Sequence, residues 1–202
     1  MSSILQMTFP KDWPQIATIL QASPTTADWH AAFGVCLSDR IEKRYLVPIR
    51  ALQNGPFQGE GFTILTIQCA LIEFLAALKK GWNFRQGAHW GVNNEYGSSR
   101  QLYKGFLTSE APFSSIVTSD AEAEVFYTDI RCALVHEAQT KNGWKVRVTG
   151  ARAIDFGQTY VNRDLLLKLV EQWVQSYRSA LPNDPQLQAA FLRKFAYIHS
   201  HS

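Results

Sequence analysis

The stretch from Phe62 to Leu78 constrains this chain more than any other. Ile64, Leu65, Ile67, Leu71, Ile72, Phe74 and Leu75 make it almost continuously apolar, and Glu73 is its only charge before Lys79. A helix that is apolar on nearly every side belongs at the centre of a globule, with other elements packed around it. Asn54-Gly55-Pro56, Gly59 and Gly61 punctuate the chain before it, so a new element starts there. With 202 residues and 46% hydrophobic content, the chain is long enough for one well-filled core. A single domain over 1–202 is therefore expected. The low charged fraction, 18%, and the aromatic content, 12%, exclude global disorder. No apolar run is read as approaching the roughly 18 residues of a membrane span, and Met1 to Pro10 lacks the pattern of a secretory signal. The expected location is cytoplasmic. Cys36, Cys69 and Cys132 are odd in number, far apart and without a CxxC pair, which predicts reduced thiols and no zinc knuckle.

Helical signals surround the central segment. Asp12 and Pro14 mark a start that Pro24 stops, with Ile16, Ile19 and Leu20 at helical spacing. Thr25 or Thr26 caps a second helix, carried by Trp29, Phe33, Cys36, Leu37, Ile41 and Tyr45 until Pro48 kinks or ends it. Residues 81 to 99 read as an ordered aromatic loop around Trp82, Phe84 and Trp90. A short helix from Arg100 to Leu107 follows. Ser119 or Asp120 caps another that runs to about Ala138, with Val125, Phe126, Ile130, Ala133 and Leu134 on one side. Trp144, Val146 and Val148 alternate with Lys145 and Arg147, a turn falls at Thr149-Gly150, and Ala153 to Phe156 is expected to return as the hairpin partner. An amphipathic helix from Asn162 or Arg163 to Leu181 and a final one opened by Pro185 complete a mainly α chain with one small hairpin.

Motifs that are missing narrow the chemistry. There is no GxxxxGK, no GxGxxG after a strand, no HExxH and no GxSxG. His199 and His201 lie near the end of the chain, and His30 and His89 lack ligands at metal spacing, so neither a metal nor a cofactor is expected. The formal charge of +3 is unevenly spread along the chain. Residues 1 to 130 hold ten basic and twelve acidic side chains, whereas residues 131 to 202 hold ten and five. Lys141, Lys145, Arg147 and Arg152 come within twelve residues without a carboxylate among them, a pattern suited to a phosphate backbone if one face gathers them, or to a solvated surface if none does.

The segment FYTDIRCALVHEAQTKNGW carries the most specific chemistry, an Arg and a His on the late turns of an apolar-striped helix. Arg131 and His136 are separated by roughly 140° around an α-helix, so they flank the stripe and do not stack. Two copies of the helix packed together would let each subunit give an Arg and a His to a shared cleft. Arg can hold a phosphate by two parallel hydrogen bonds, and His moves protons near neutral pH. The pair equally suits a helix end, satisfying the last carbonyls and Glu137. Trp144 reads as a core residue of the hairpin or as a stacking ring for RNA.

Arg131-Cys-Ala-Leu-Val-His136, the long early helix ending in RIEKRYLVPI and the apolar ILTIQCALIEFLAAL resemble the HEPN superfamily of helical domains over most of residues 25 to 181. The resemblance implies an HEPN-like helical bundle, often homodimeric, and metal-independent endoribonuclease activity within toxin-antitoxin or defence systems. It implies that Arg131 holds the scissile phosphate while His136 assists the ribose 2′-hydroxyl or protonates the leaving oxygen. Lys141, Lys145, Arg147 and Arg152 would bind the RNA. Active members frequently have Asn after the Arg, and Cys132 departs from that pattern, being a poor hydrogen-bonding substitute. The alternatives are a non-catalytic interaction module for a partner such as an antitoxin, and a nucleotide binder using the aromatic loop from Trp82 to Tyr96.

Overall fold

The computed structural model describes residues 2–202. The chain is mainly helical, 68% helix, so the expected fold class holds at that level. Seven helices are found among the described residues: α1 (Trp13–Ala22), α2 (26–54), α3 (Glu60–Lys80), α4 (Ser99–Ser109), α5 (120–137), α6 (Arg163–Ala180) and α7 (Pro185–Ser200). Five short strands accompany them: β1 (Asn83–Phe84), β2 (Glu95–Tyr96), β3 (Lys145–Arg147), β4 (Ile154–Asp155) and β5 (Tyr160–Asn162).

Local chemistry explains most of the boundaries. Thr25 and Asp28 form a reciprocal capping box at the start of α2. Ser119 accepts the Glu122 amide at the start of α5, and Asp184 caps α7 with Pro185 in its first turn. Asn162 Oδ1 accepts both the Asp164 and Leu165 amides, so it is the cap of α6. Asp12 departs from expectation. Its carboxylate accepts from Thr8 N at 2.8 Å and Thr8 Oγ1 at 3.2 Å, and it caps no amide of α1. The side chain faces back along the chain because Thr8 competes for it.

Pro48 neither ends α2 nor marks its last turn, since the helix continues to Asn54. The segment before it, Glu42–Leu46, is wound as a π-turn, and an earlier one covers Phe33–Ser38. A π-turn widens the backbone ladder ahead of a proline ring that would otherwise meet a carbonyl.

The chain groups into two compact units. The first comprises Met1–Pro48, Ala77–Gly97 and Gln175–Ser202. Its core is aromatic: Trp13 and Phe195 lie 6.1 Å apart, Trp29 and Phe191 6.2 Å, and Phe191 and Phe195 4.4 Å. Gly81, at φ +66°, ends α3, and a Cβ there would stand 2.6 Å from Ala190 Cα, so only glycine lets α7 approach so closely. The aromatic loop is ordered, with Trp82 edge-on to Trp90 at 4.8 Å and β1 paired in parallel with β2.

The second unit comprises Ile49–Ala76 and Ser98–Val174. Here α3 supplies buried Ile64, Leu65, Leu71 and Ile72. Tyr103 of α4 stacks on Phe126 of α5, and Phe106 meets Trp173 of α6 at 5.1 Å. The strand arrangement corrects the expected hairpin. β3 does not pair with β4; both flank β5, β3 in parallel (Lys145↔Tyr160, Arg147↔Asn162) and β4 antiparallel (Ile154↔Val161). The two-strand turn is therefore the one between β4 and β5. Trp144 is buried against Phe156 at 5.5 Å and serves the core.

The composition argument against a membrane-length apolar run is also corrected. By length and composition alone α3 is long and apolar enough to cross a membrane, with an 18-residue window of mean hydropathy 1.9. Of that window, 56% is buried inside the protein.

Candidate functional site

Every residue singled out in sequence as catalytic or RNA-binding lies in the second unit, on α5 or on the strands and turns after it. α5 is built from Asp120–Val125, a π-wound turn Phe126–Cys132 and a last turn Ala133–Glu137. A π-turn that contains Arg131 re-aims its side chain and those around it relative to a plain α-helix. On its early turns α5 is bound to α4 by charge. Arg100 forms an ion pair with Glu124, and Lys104 reaches Asp120 at 2.8 Å and Glu124 at 3.0 Å.

Arg131 is held inside the unit. Its Nη2 donates to Glu73 Oε2 at 2.7 Å, and the guanidinium lies 5.6 Å from the Tyr127 ring centroid. Both partners of the ion pair are mostly enclosed, with 22% and 18% of their side chains exposed. Burial works against the charge of Arg131, but the facing Glu73 carboxylate outweighs it and holds the pKa above its ordinary value. Behind it, Tyr127 OH and Ser99 Oγ are bonded at 2.9 Å. Sequence reasoning did not pair Glu73 with Arg131. The signal was present, since Glu73 is the only charge between Phe62 and Leu78 and an enclosed carboxylate needs a cation to face it.

His136 has the opposite environment. It is exposed on the last turn of α5 and has no hydrogen-bond or ion-pair partner among the described residues. Glu137, a candidate tether for the His-Arg pair, bonds instead to Lys141 at 3.2 Å. Asp129 ties down the following loop: its carbonyl accepts the Lys141 amide at 2.9 Å and its carboxylate accepts Asn142 Nδ2 at 2.9 Å. Within one chain, then, Arg131 is engaged by α3 while His136 faces solvent, and no hydrogen bond joins them.

The basic residues that follow divide in two. Lys141 is neutralised by Glu137, whereas Lys145, Arg147 and Arg152 have no carboxylate partner among the described residues. Lys145 and Arg147 share one face of β3 by strand alternation. Val146, between them, is the near neighbour of Gly61 at the start of α3. Arg147 lies over the Tyr160 ring at 5.0 Å, and the Tyr160 hydroxyl accepts the Arg152 amide at 3.4 Å. Tyr160 thus holds the side chain of one sequence-predicted arginine and the backbone of the other. Arg152 also lines a cleft of about 640 Å³ with Lys168 at another wall and Ile154, Leu165 and Leu169 among its apolar lining. Lys168 likewise has no carboxylate partner among the described residues and was not anticipated from sequence. Helical spacing from Leu165 and Leu169 gave its face, but not the cleft that face borders.

Among the described residues no three His, Cys, Asp or Glu side chains gather to hold a metal. His199 bonds the Pro10 carbonyl at 3.0 Å, and His201 stacks on Tyr197, so both belong to the packing of α7. Cys36 and Cys69 are buried and Cys132 is half-buried, all three as free thiols. No family model, curated protein or solved structure matches this chain.

Proposed function

We propose that this chain is an RNA-directed domain of the HEPN type, working through the exposed end of α5 and the cations that follow it. The observation that carries the reading is the contrast in pairing. His136 is exposed and unpartnered, and Lys145, Arg147 and Arg152 stand without carboxylates while Arg131, Lys141 and Arg163 of the same unit are matched. Unpaired cations and an exposed imidazole in one unit suit a phosphodiester chain and a proton transfer at one of its oxygens. Cleavage would use a second copy of the chain, because Arg131 and His136 of one copy do not converge. In that homodimer His136 would serve the 2′-hydroxyl or the leaving oxygen, and Arg131, turned from Glu73, the phosphate.

The Arg131–Glu73 pair favours a second reading, RNA binding without cleavage, in which Arg131 joins α5 to α3 and Cys132 supplies no strong donor. The test is incubation of the wild-type protein, Arg131→Ala and His136→Ala with a long RNA in chelator, alongside sedimentation across a concentration series. Cleavage lost in both variants supports the nuclease. Binding without cleavage supports the second reading, with Lys145→Gln weakening it. Absence of both binding and cleavage overturns the RNA assignment.

A further inference from the structure

The first unit contains a small cavity with an unmatched group of cations. It measures about 190 Å³ and is lined by residues of α2 and of the segment before α1, among them Phe9, Cys36, Asp39, Arg40, Lys43 and Arg44. Asp39 is its carboxylate, and Lys43 already holds it at 2.9 Å. Arg40 and Arg44 are left without a carboxylate partner among the described residues. They are four residues apart on the same stretch of helix and line the same space.

Arg40 is the informative member. Its Nε is fully buried and has no hydrogen-bond partner, and its guanidinium sits 5.6 Å from the Phe9 ring centroid. Burial lowers its pKa from the ordinary arginine value, and repulsion from Arg44 adds to the effect. A buried donor of a charged group without an acceptor is costly to leave unmade, and two guanidiniums facing one space raise that cost. No acceptor among the described residues meets that donor.

We infer that this cavity is an oxyanion site that takes a phosphate group between Arg40 and Arg44. A guanidinium offers planar, paired donors that match two oxygens of a phosphate, and two arginines complete a tridentate or tetradentate grip. The volume argues for the group alone. It falls below the roughly 300 Å³ at which pockets begin to enclose a drug-sized ligand, so the rest of any larger molecule stays outside. Of its cations, Lys43 and Arg44 are exposed and Arg40 is half-buried. The phosphate can be free inorganic phosphate or the terminal phosphate of an RNA strand; the site chemistry is the same.

Thermal unfolding and calorimetric titration of the full chain with inorganic phosphate, against chloride at matched ionic strength, test the inference. Phosphate is expected to raise the midpoint in proportion to the logarithm of its concentration. Arg44→Gln, at an exposed position, is expected to keep the fold and weaken phosphate at least tenfold. Arg40→Gln is expected to abolish the effect, and Lys11→Gln, outside the cavity, to leave it unchanged. A short oligoribonucleotide with a 5′-phosphate, compared with the same strand ending in a 5′-hydroxyl, identifies the source. Tighter binding of the phosphorylated strand that is lost in Arg44→Gln assigns the site to RNA ends, and equal binding of both strands with the phosphate response kept assigns it to the free ion. The inference is overturned if phosphate stabilises no more than chloride and the 5′-phosphate gives no advantage, or if Arg44→Gln and Arg40→Gln respond as wild type. His136 and Lys145 variants enter none of these readouts, so failure here is separable from failure of the RNA reading above.

Discussion

At the scale of single residues, the decisive contact is Arg131 with Glu73. A surface ion pair contributes little, up to about 1 kcal/mol, whereas removing one partner of a fully buried pair costs about 3–5 kcal/mol. With about a fifth of each side chain exposed, this pair lies between those limits. Arg131→Ala is expected to destabilise the chain by about 2 kcal/mol in urea unfolding, and Arg131→Ala with Glu73→Gln by less than the sum of the two. Near additivity in that cycle would remove the structural role given to the pair. The thiols make a second residue-scale prediction. Burial raises the pKa of Cys36 and Cys69 from 9.0 to about 12, with Arg40 opposing it at Cys36, and the Tyr103 hydrogen bond and Arg131 opposing it at Cys69. Each folded pKa lies above the unfolded one, so the unfolded chain loses these protons first. Their contribution to stability is full below about pH 9 and declines as pH rises towards 12. Unfolding free energies at pH 8, 9 and 10 should fall in that order. At pH 8 a thiol reagent should modify half-buried Cys132 quickly, and Cys36 and Cys69 only on unfolding.

At the scale of elements, the end of α5 stores strain beside the candidate site. Ala138 is left-handed, at φ +54°, immediately after the last turn. That conformation costs an L-residue about 1–2 kcal/mol, and glycine adopts it freely. Ala138→Gly should therefore stabilise the chain by about 0.5–1 kcal/mol after the entropy cost of glycine, read as a higher Tm with the helix signal unchanged. Gly81→Ala should act in the opposite direction and more strongly, because its Cβ would meet the Ala190 backbone. Two caps were legible beforehand, Thr25 and Ser119, which act through contacts three residues away that chain order alone specifies. Asn162 and Asp184 cap α6 and α7 in the same local way, although helical spacing marked only helix starts at 162 or 163 and at Pro185. The hairpin was not legible. Strands of two or three residues carry too little alternation to choose a partner, and β5, whose residues Tyr160, Val161 and Asn162 are all buried, took the place between β3 and β4. Asp12 failed as a cap for a similarly specific reason, the competing Thr8.

At the scale of the whole molecule, charge is regrouped by folding. Along the chain the positive excess begins at Arg131, but the second unit holds ten basic and eleven acidic residues, net −1, and the first holds ten and six, net +4. The RNA reading consequently rests on local unpaired cations and not on net charge. If Lys145, Arg147, Arg152 and exposed His136 contact phosphates, binding should weaken with salt at a slope of about −0.7 per contact for single strands. Lys145→Gln should flatten the slope by about 0.7, measured by anisotropy of a labelled strand between 50 and 200 mM salt. An unchanged slope would take Lys145 out of the interface.

The amino-acid sequence by itself determined seven helices, two of their caps, and the apolar stretch of α3 with Glu73 as the one charge between Phe62 and Leu78, because periodicity and capping act over a few residues. It also marked Arg131 and His136 as the chemically rich end of α5. Only the tertiary structure decided that Arg131 is spent on Glu73, that His136 is free, that the Arg147 side chain lies on Tyr160, and that Arg40 and Arg44 share an unmatched cavity. Ion pairing depends on distances between segments far apart in the chain, and a Coulomb interaction that is negligible in water becomes decisive once two groups are enclosed together. Those distances are absent from the order of residues and are set when the core closes.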